Sequence, residues 1–269
     1  MKYNEVTMKG SHNSYNGKGS LEKQILEDKC GCVELDIYQH KSENKWSVSH
    51  DKKYYEEPEK QLSKYLNELK RIIKANPDQE LITLYLDIKG QKSGESFPDK
   101  LDSYIIEKGD LELSDIFSPG YFGNFKLLAD AVKSKGWPNI SQMRGKILIC
   151  LSGDGSDKKM YANKKDPNKR LCFADYDKLL ISGEIPYSSK KEDEFRRVFF
   201  NYHITQPLSG IWADNFRKAF KEQPHAIIRA HEANSSDNWD DCLNNACSII
   251  ATDNTNRNWE NYYERRRIK

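Results

Sequence analysis

Four short polar clusters carry the residues most able to do chemistry: Gly10-Ser11-His12-Asn13-Ser14-Tyr15, Val33-Glu34-Leu35-Asp36, Val48-Ser49-His50-Asp51 and Leu86-Asp87-Ile88-Lys89. Imidazole exchanges a proton near neutral pH, so two histidines at one site supply a general base and a general acid. Glu34 and Asp36 have the i, i+2 spacing that puts both side chains on one face of a strand. Carboxylates gathered out of water repel each other and lose solvation unless a cation joins them. A hard divalent ion with oxygen ligands is the natural compensation, with Asp87 as third carboxylate and Asn13 as a neutral amide oxygen. Taken singly, each residue has a plainer reading: a satisfied structural histidine, a solvated strand face, a helix-capping aspartate. Four such clusters, each ending a strand-like run, are hard to explain as four coincidences.

Elements must bring these clusters together. Strand-like runs are Val6 to His12, Cys32 to Tyr38, Trp46 to His50, Leu81 to Ile88, Lys146 to Leu151, Val198 to His203, Ala226 to His231 and Ser248 to Asp253, with Leu171 to Tyr176 competing for the sixth place. Leu-Ile-Thr-Leu-Tyr-Leu and Lys-Ile-Leu-Ile-Cys-Leu are almost continuously apolar, as parallel strands covered on both faces are. Helical stretches alternate with them. Leu62, Tyr65, Leu66, Leu69, Ile72 and Ile73 form one face of a helix from about Pro58 to Asn76, stopped by Pro77. A second helix is expected over Ser236 to Asn245. Gly153 to Lys169, rich in Gly, Asp, Lys and Asn, reads as a long surface loop of solvated lysines. The alternation predicts an α/β fold, a TIM-type (β/α)8 barrel forming one domain over residues 1–269. In a barrel the strand C-termini share one rim, and the four clusters would meet there.

Bulk properties narrow the function. The 269 residues carry a formal charge of +2, which does not advertise nucleic-acid binding. No apolar run is long enough to cross a bilayer. Six cysteines permit disulfides but lack zinc-site spacing. Met1-Lys2-Tyr3-Asn4-Glu5 lacks the apolar core of a signal peptide, which leaves a cytosolic protein or a mature chain whose leader was removed. Tyr54-Tyr55 and Tyr121-Phe122 are aromatic pairs suited either to a bilayer surface or to packing.

The clusters resemble those of a known family. Lys9-Gly10-Ser11-His12-Asn13-Ser14-Tyr15 is similar to the Ser-His-Asn-(Ser/Thr)-Tyr segment that opens the barrel of phosphatidylinositol-specific phospholipases C. Val33-Glu34-Leu35-Asp36 resembles the Val-Glu-Leu-Asp strand of the calcium-dependent branch. Val48-Ser49-His50-Asp51 and Leu84-Tyr85-Leu86-Asp87 fall where that family places its second histidine and its last calcium carboxylate. Arg144-Gly145-Lys146-Ile147-Leu148-Ile149 resembles its Gly-Lys-Ile-Leu-Ile strand, and Arg229, Asn234-Ser235-Ser236 and Ala246 to Ala251 its closing passage. The resemblance implies His12 as general base, His50 as general acid, and calcium on Asn13, Glu34, Asp36 and Asp87. Lys89, Arg229 and Asp253 are expected to bind substrate, Arg229 at the head-group phosphate and Asp253 at an inositol hydroxyl. It further implies a phospholipid substrate met at a membrane surface, a monomer, and a lean toward secretion.

Departures matter as well. Cys150 and Ser152 stand where regulatory eukaryotic enzymes carry phosphate-gripping lysines, which disfavours polyphosphorylated head groups. Asp87 replaces the usual glutamate. His40, His203, His225 and His231 are expected to be structural or exposed, His231 being the one to probe. The rival readings are a glycerophosphodiesterase or a sphingomyelinase D-type phospholipase on the same barrel. Asn13 argues against the former, which usually has arginine there. A catalytically silent head-group binder is a third reading.

Overall fold

The structure is a computed structural model that describes residues 1–40, 43–90, 94–153, 155–163, 166–176, 197–204, 211–259 and 261–268, with the backbone alone for 211–215. In chain order the elements are β1 (Val6–Ser11), β2 (Cys32–Gln39), β3 (Trp46–Val48), α1 (Leu62–Ala75), β4 (Ile82–Ile88), α2 (Phe97–Glu107), α3 (Leu128–Lys135), β5 (Ile147–Gly153), α4 (Gly155–Asn163), β6 (Phe173–Tyr176), β7 (Phe199–His203), α5 (Ile211–Glu222), β8 (Ile227–His231), α6 (Ser236–Asn244), β9 (Ile249–Thr252) and β10 (Glu264–Arg265).

Eight strands close a parallel barrel in the order β1-β2-β4-β5-β6-β7-β8-β9, with β9 returning to β1. The predicted barrel is therefore present, but one of its strands was misplaced. Trp46–Val48 pairs antiparallel with the far end of β2 and lies outside the ring. Phe173–Tyr176, the competitor for the sixth place, is a barrel strand between β5 and β7. A stretch of β-favouring residues fixes strand character but not which neighbour it finds.

Side chains alternate along each strand. Val33, Leu35, Ile37, Leu84, Leu86, Ile88, Ile149 and Leu151 pack outward with Leu62, Leu66, Leu69 and Ile73 of α1 in one apolar layer. Inside, Met8, Cys32, Tyr85, Leu148, Cys150, Phe173, Phe199, Ile227 and Ile249 fill the lower barrel. The next inward positions toward the strand C-termini are polar, and they form the mouth. All six cysteines are buried free thiols.

Two further expectations are refined. Pro58 opens a separate short turn, Pro58–Lys60, and α1 begins only at Leu62. The expected loop from Gly153 to Lys169 contains α4, with Lys158 and Tyr161 buried. Lys158 Nζ donates to Asp175 Oδ1 at 2.6 Å, so a lysine read as solvated is instead inside the barrel wall. Pairing is what permits its burial. Phe122 is buried and Tyr121 rests against Phe117, which gives the Tyr121-Phe122 pair a packing role. Among the described residues no helix is long and apolar enough to cross a membrane.

Candidate active site

The end of β1 is tied down on both sides. His12 N–H donates to Thr252 O at 3.0 Å and Ser14 N–H to Glu34 O at 2.9 Å. Between them Asn13 takes a left-handed conformation, φ 49°, which asparagine tolerates better than most residues. Its N–H points at Glu34 Oε2, 3.3 Å away. This sharp turn lifts His12 onto the rim. His12 Nδ1 meets Asp253 Oδ1 at 3.2 Å, and Nε2 faces Glu34 Oε2 at 3.9 Å. A carboxylate accepting from Nδ1–H leaves the lone pair on Nε2, where a base needs it.

His50 arrives from the loop after β3. Its Nδ1 lies 2.7 Å from Asp36 Oδ2, and its side chain is 69% exposed. Each histidine thus has its own orienting carboxylate. Beside His50 runs an open groove, lined among others by Asn13, Asp51, Tyr55, Glu59, Lys60 and Lys64.

Between the histidines sit Glu34, Asp36 and Asp87, whose nearest oxygens all lie within 4.8 Å of one another. Glu34 accepts from Arg229 Nη2 at 2.7 Å. Burial pushes the Glu34 carboxyl up, but Arg229, His12 and the Asn13 N–H outweigh it and hold the group below its ordinary value. Lys89 Nζ is 2.9 Å from Asp87 Oδ2 and 3.2 Å from Asp36 Oδ2. Asp36 Oδ1 and Asp87 Oδ1 are buried with no hydrogen-bond partner among the described residues. Two orphaned carboxylate oxygens beside a third carboxylate form a donor set that fits a hard divalent cation. Asn13 Oδ1, 3.4 Å from the Tyr15 hydroxyl, borders the cluster.

Asp87 is pushed up to about 7, first by burial and then by Glu34 and Asp36, with Lys89 opposing. Below that pH a cation must displace a proton from Asp87. Calcium affinity should therefore fall about tenfold between pH 8 and pH 6 through this group, from one-proton linkage. Calorimetric titration at the two pH values checks it; equal affinities would remove Asp87 from the site.

Gly153 guards the same carboxylate. It has φ +80°, and a Cβ there would lie 1.9 Å from Asp87 Oδ1 and 2.4 Å from Ile88 O. Gly153→Ala must push Asp87 aside. Support of this kind for a ligand is typically worth about 10–100-fold in metal affinity, and that loss is expected. A variant that binds calcium as tightly as wild type would show that Asp87 does not need this space.

The remaining expected residues are placed as follows. Arg229 is fully buried; besides Glu34 it donates to Asn201 Oδ1 at 2.9 Å and covers the Tyr85 ring at 4.5 Å. Asp253 spends Oδ1 on His12 and on Lys18 Nζ, at 2.7 Å from the latter, and Oδ2 on Asn234 Nδ2 at 2.8 Å. Lys89 lies on the carboxylates.

Sequence reasoning overlooked several partners. Lys18 reaches His12 O as well as Asp253. The Tyr15 hydroxyl donates to Asp36 Oδ2 at 2.9 Å. Asn201 links Arg229, Ser152 and His231. The Ser-Tyr ending of the first cluster was a usable signal for Tyr15. Nothing local marks Lys18 or Asn201.

Comparison with known proteins agrees with the barrel fold. Residues 54–178 match the family model of phosphoinositide phospholipase C, Ca2+-dependent. That stretch contains Asp87 and Lys89 but neither histidine. No curated protein matches the chain. Among solved structures, a calcium-dependent phosphoinositol-specific phospholipase C from Pseudomonas sp. superposes with a TM-score of 0.74 at 18% identity, covering 98% of this chain and 95% of the other. A calcium-dependent phosphatidylinositol-specific phospholipase C from Streptomyces antibioticus gives 0.72 at 17%, covering 94% and 95%. A phosphodiesterase from Oleispira antarctica, in complex with the product sn-glycerol-3-phosphate, gives 0.56 at 10%, covering 95% and 96%. The resemblance read from the sequence therefore stands in two respects: residues 54–178 match the model of the calcium-dependent phosphoinositide phospholipases C, and the chain shares its barrel with solved enzymes of that name.

Proposed function

We propose that the chain is a calcium-dependent phosphodiesterase cleaving phosphatidylinositol-type phospholipids, with His12 as general base and His50 as general acid. One observation carries this reading: two histidines, each held at Nδ1 by its own carboxylate, flank a cluster of three carboxylates with unpartnered oxygens.

His12 Nε2 takes the proton of the ring hydroxyl next to the phosphate. That oxygen bonds to phosphorus while the bond to the diacylglycerol oxygen breaks. His50 gives its Nε2 proton to the departing oxygen. The products are diacylglycerol and a cyclic inositol phosphate, and water attacking in the reverse sense would open the ring and restore both histidines. Glu34, Asp36, Asp87 and Asn13 would hold calcium, which when bound polarises the phosphoryl group and acidifies the attacking hydroxyl. Asp253 keeps the His12 lone pair on Nε2, and Asp36 stabilises the protonated His50 ring through Nδ1–H. The substrate is met at a membrane surface, and export to a calcium-rich medium would suit such an enzyme.

Arg229 and Asp253 are given different work from that expected of them. Arg229 neutralises Glu34 from below, and Asp253 orients His12. Lys89 supplies the positive charge the carboxylates need when calcium is absent.

A second reading draws on the groove beside His50. Its Asp51, Glu59, Lys60 and Lys64 suit a water-soluble leaving group, as in a glycerophosphodiester. Phosphorus NMR of the purified protein with phosphatidylinositol, in calcium or in chelator, tests both. A cyclic phosphate resonance that needs calcium supports the first. Cleavage of glycerophosphoinositol with phosphatidylinositol untouched supports the second. Turnover of phosphatidylinositol in chelator would remove calcium from the proposal.

A further inference from the structure

His203 and His231 end neighbouring strands and stack at 5.0 Å with their rings 11° apart. His231 also lies 5.5 Å, ring to ring, from His12. The proposed mechanism uses neither of the stacked pair. Elsewhere in the barrel, Lys158 Nζ is engaged by Asp175 Oδ1 at 2.6 Å.

The hydrogen-bond chain beneath His231 fixes its chemistry. Arg229 Nη1 donates to the side chain of Asn201 at 2.9 Å. A guanidinium only donates, so the atom it meets is the amide oxygen. Asn201 Nδ2 then donates to Ser152 Oγ at 2.9 Å. His231 Nδ1 meets the same Asn201 oxygen at 3.1 Å and must carry the hydrogen. In a neutral ring the lone pair is then on Nε2, the free corner, for which no partner is recorded among the described residues. Protonation is opposed by burial first and then by Arg229, His12, His203 and Lys89, which hold the imidazole well below its ordinary value.

We propose that His231 is a specificity-determining residue whose Nε2 accepts a hydrogen bond from a free hydroxyl of a polyol head group and turns away a phosphate at that position. This rests on the head-group reading above. A hydroxyl can donate to Nε2. A phosphate dianion offers only lone pairs, and lone pair against lone pair repels. β5 brings no cation to this corner, where its side chain is Ser152, while Asn201 and Arg229 set the ring's orientation from behind.

The test compares kcat/KM on phosphatidylinositol and on its 4-phosphate for wild type, His231→Gln and His231→Lys. Glutamine keeps an acceptor and should hold the preference for the unphosphorylated ring within about threefold. Lysine replaces the acceptor by a cationic donor and should cut the preference by at least about tenfold, the scale of one hydrogen bond to a charged group. Unchanged preference in His231→Lys would overturn the proposal. Nitrogen-15 NMR of the histidine rings, titrated with myo-inositol and with inositol 1,4-bisphosphate, separates this failure from failure of the function. Even if no inositide is cleaved, a bare Nε2 that shifts with myo-inositol and not with the bisphosphate supports the role. A protonated Nε2 at pH 7, or no shift with myo-inositol, refutes it.

Discussion

His12→Ala and His50→Ala should each lower turnover of phosphatidylinositol by about 10²–10⁴-fold, the usual contribution of a positioned acid or base. The two losses should differ in kind. In the proposed mechanism His50 serves only to protonate the departing oxygen, so His50→Ala should recover most of its rate on an inositol phosphodiester whose leaving group is a nitrophenol. His12→Ala should not recover, because the attacking hydroxyl still needs its base. Asp253→Asn should fall between, since it replaces the charged acceptor that fixes His12 at 3.2 Å with a neutral amide but leaves the ring itself. Initial rates on both substrates in saturating calcium decide the matter. Both alanine variants within tenfold of wild type on the natural substrate would end the acid–base assignment, and rescue of His12→Ala instead of His50→Ala would exchange the roles.

The largest stability effect is expected at Arg229. Its guanidinium and the Glu34 carboxylate are almost wholly buried, at 0% and 3% exposure, with 2.7 Å between them. Arg229→Met leaves Glu34 charged, buried and without its principal partner, and it strips a donor from Asn201. Breaking one side of such a pair costs about 3–5 kcal/mol. In a chain of this size that corresponds to a midpoint lowered by roughly 6–20 °C. Urea and thermal unfolding in chelator measure it. The double variant Arg229→Met, Glu34→Gln should regain a large part of the loss, because the stranded charge is what costs most. A single variant as stable as wild type would mean that Lys89 and His12 already balance Glu34 without Arg229. Calcium should stabilise the single variant more than the wild type in free energy, by supplying the cation that arginine had provided.

Much of this site was legible because its residues end strands. His12 and Asn13 close β1, Glu34 and Asp36 share one face of β2, and Asp87 faces them across the register Asp36↔Asp87. Periodicity and strand-end position suffice for such residues. His50 was read as ending a barrel strand, and the structure places it on a loop instead. Trp46–Val48 has the composition of a strand, yet it pairs outside the ring, and His50 reaches Asp36 from a loop. Phe173–Tyr176 was only a competitor because four residues give little pattern. Lys158 was unreadable for another reason. Its burial depends on Asp175, and a lysine carries no local sign that its charge will be met. The pairing of Asp253 with His12 spans 241 residues and exists only once the ring has closed. The tautomer of His231 depends on Arg229 and Asn201 in the same way.

The seam of the ring has a consequence for how the protein comes into being. β1 touches β2 through only Gly10↔Cys32 and Ser11↔Val33, whereas it pairs with β9 from Met8↔Ile249 to Ser11↔Thr252. On the ribosome β1 emerges early and its main partner late. At 5–20 residues per second the interval is roughly 10–50 s, during which Val6 to Met8 present an unpaired apolar edge. A nascent chain stalled before Ser248 already contains both histidines and all three carboxylates, but it has no wall on which His12 can stand. The barrel mouth is thus completed only late in synthesis, and the appearance of the proposed activity in a timed translation should mark the arrival of β9.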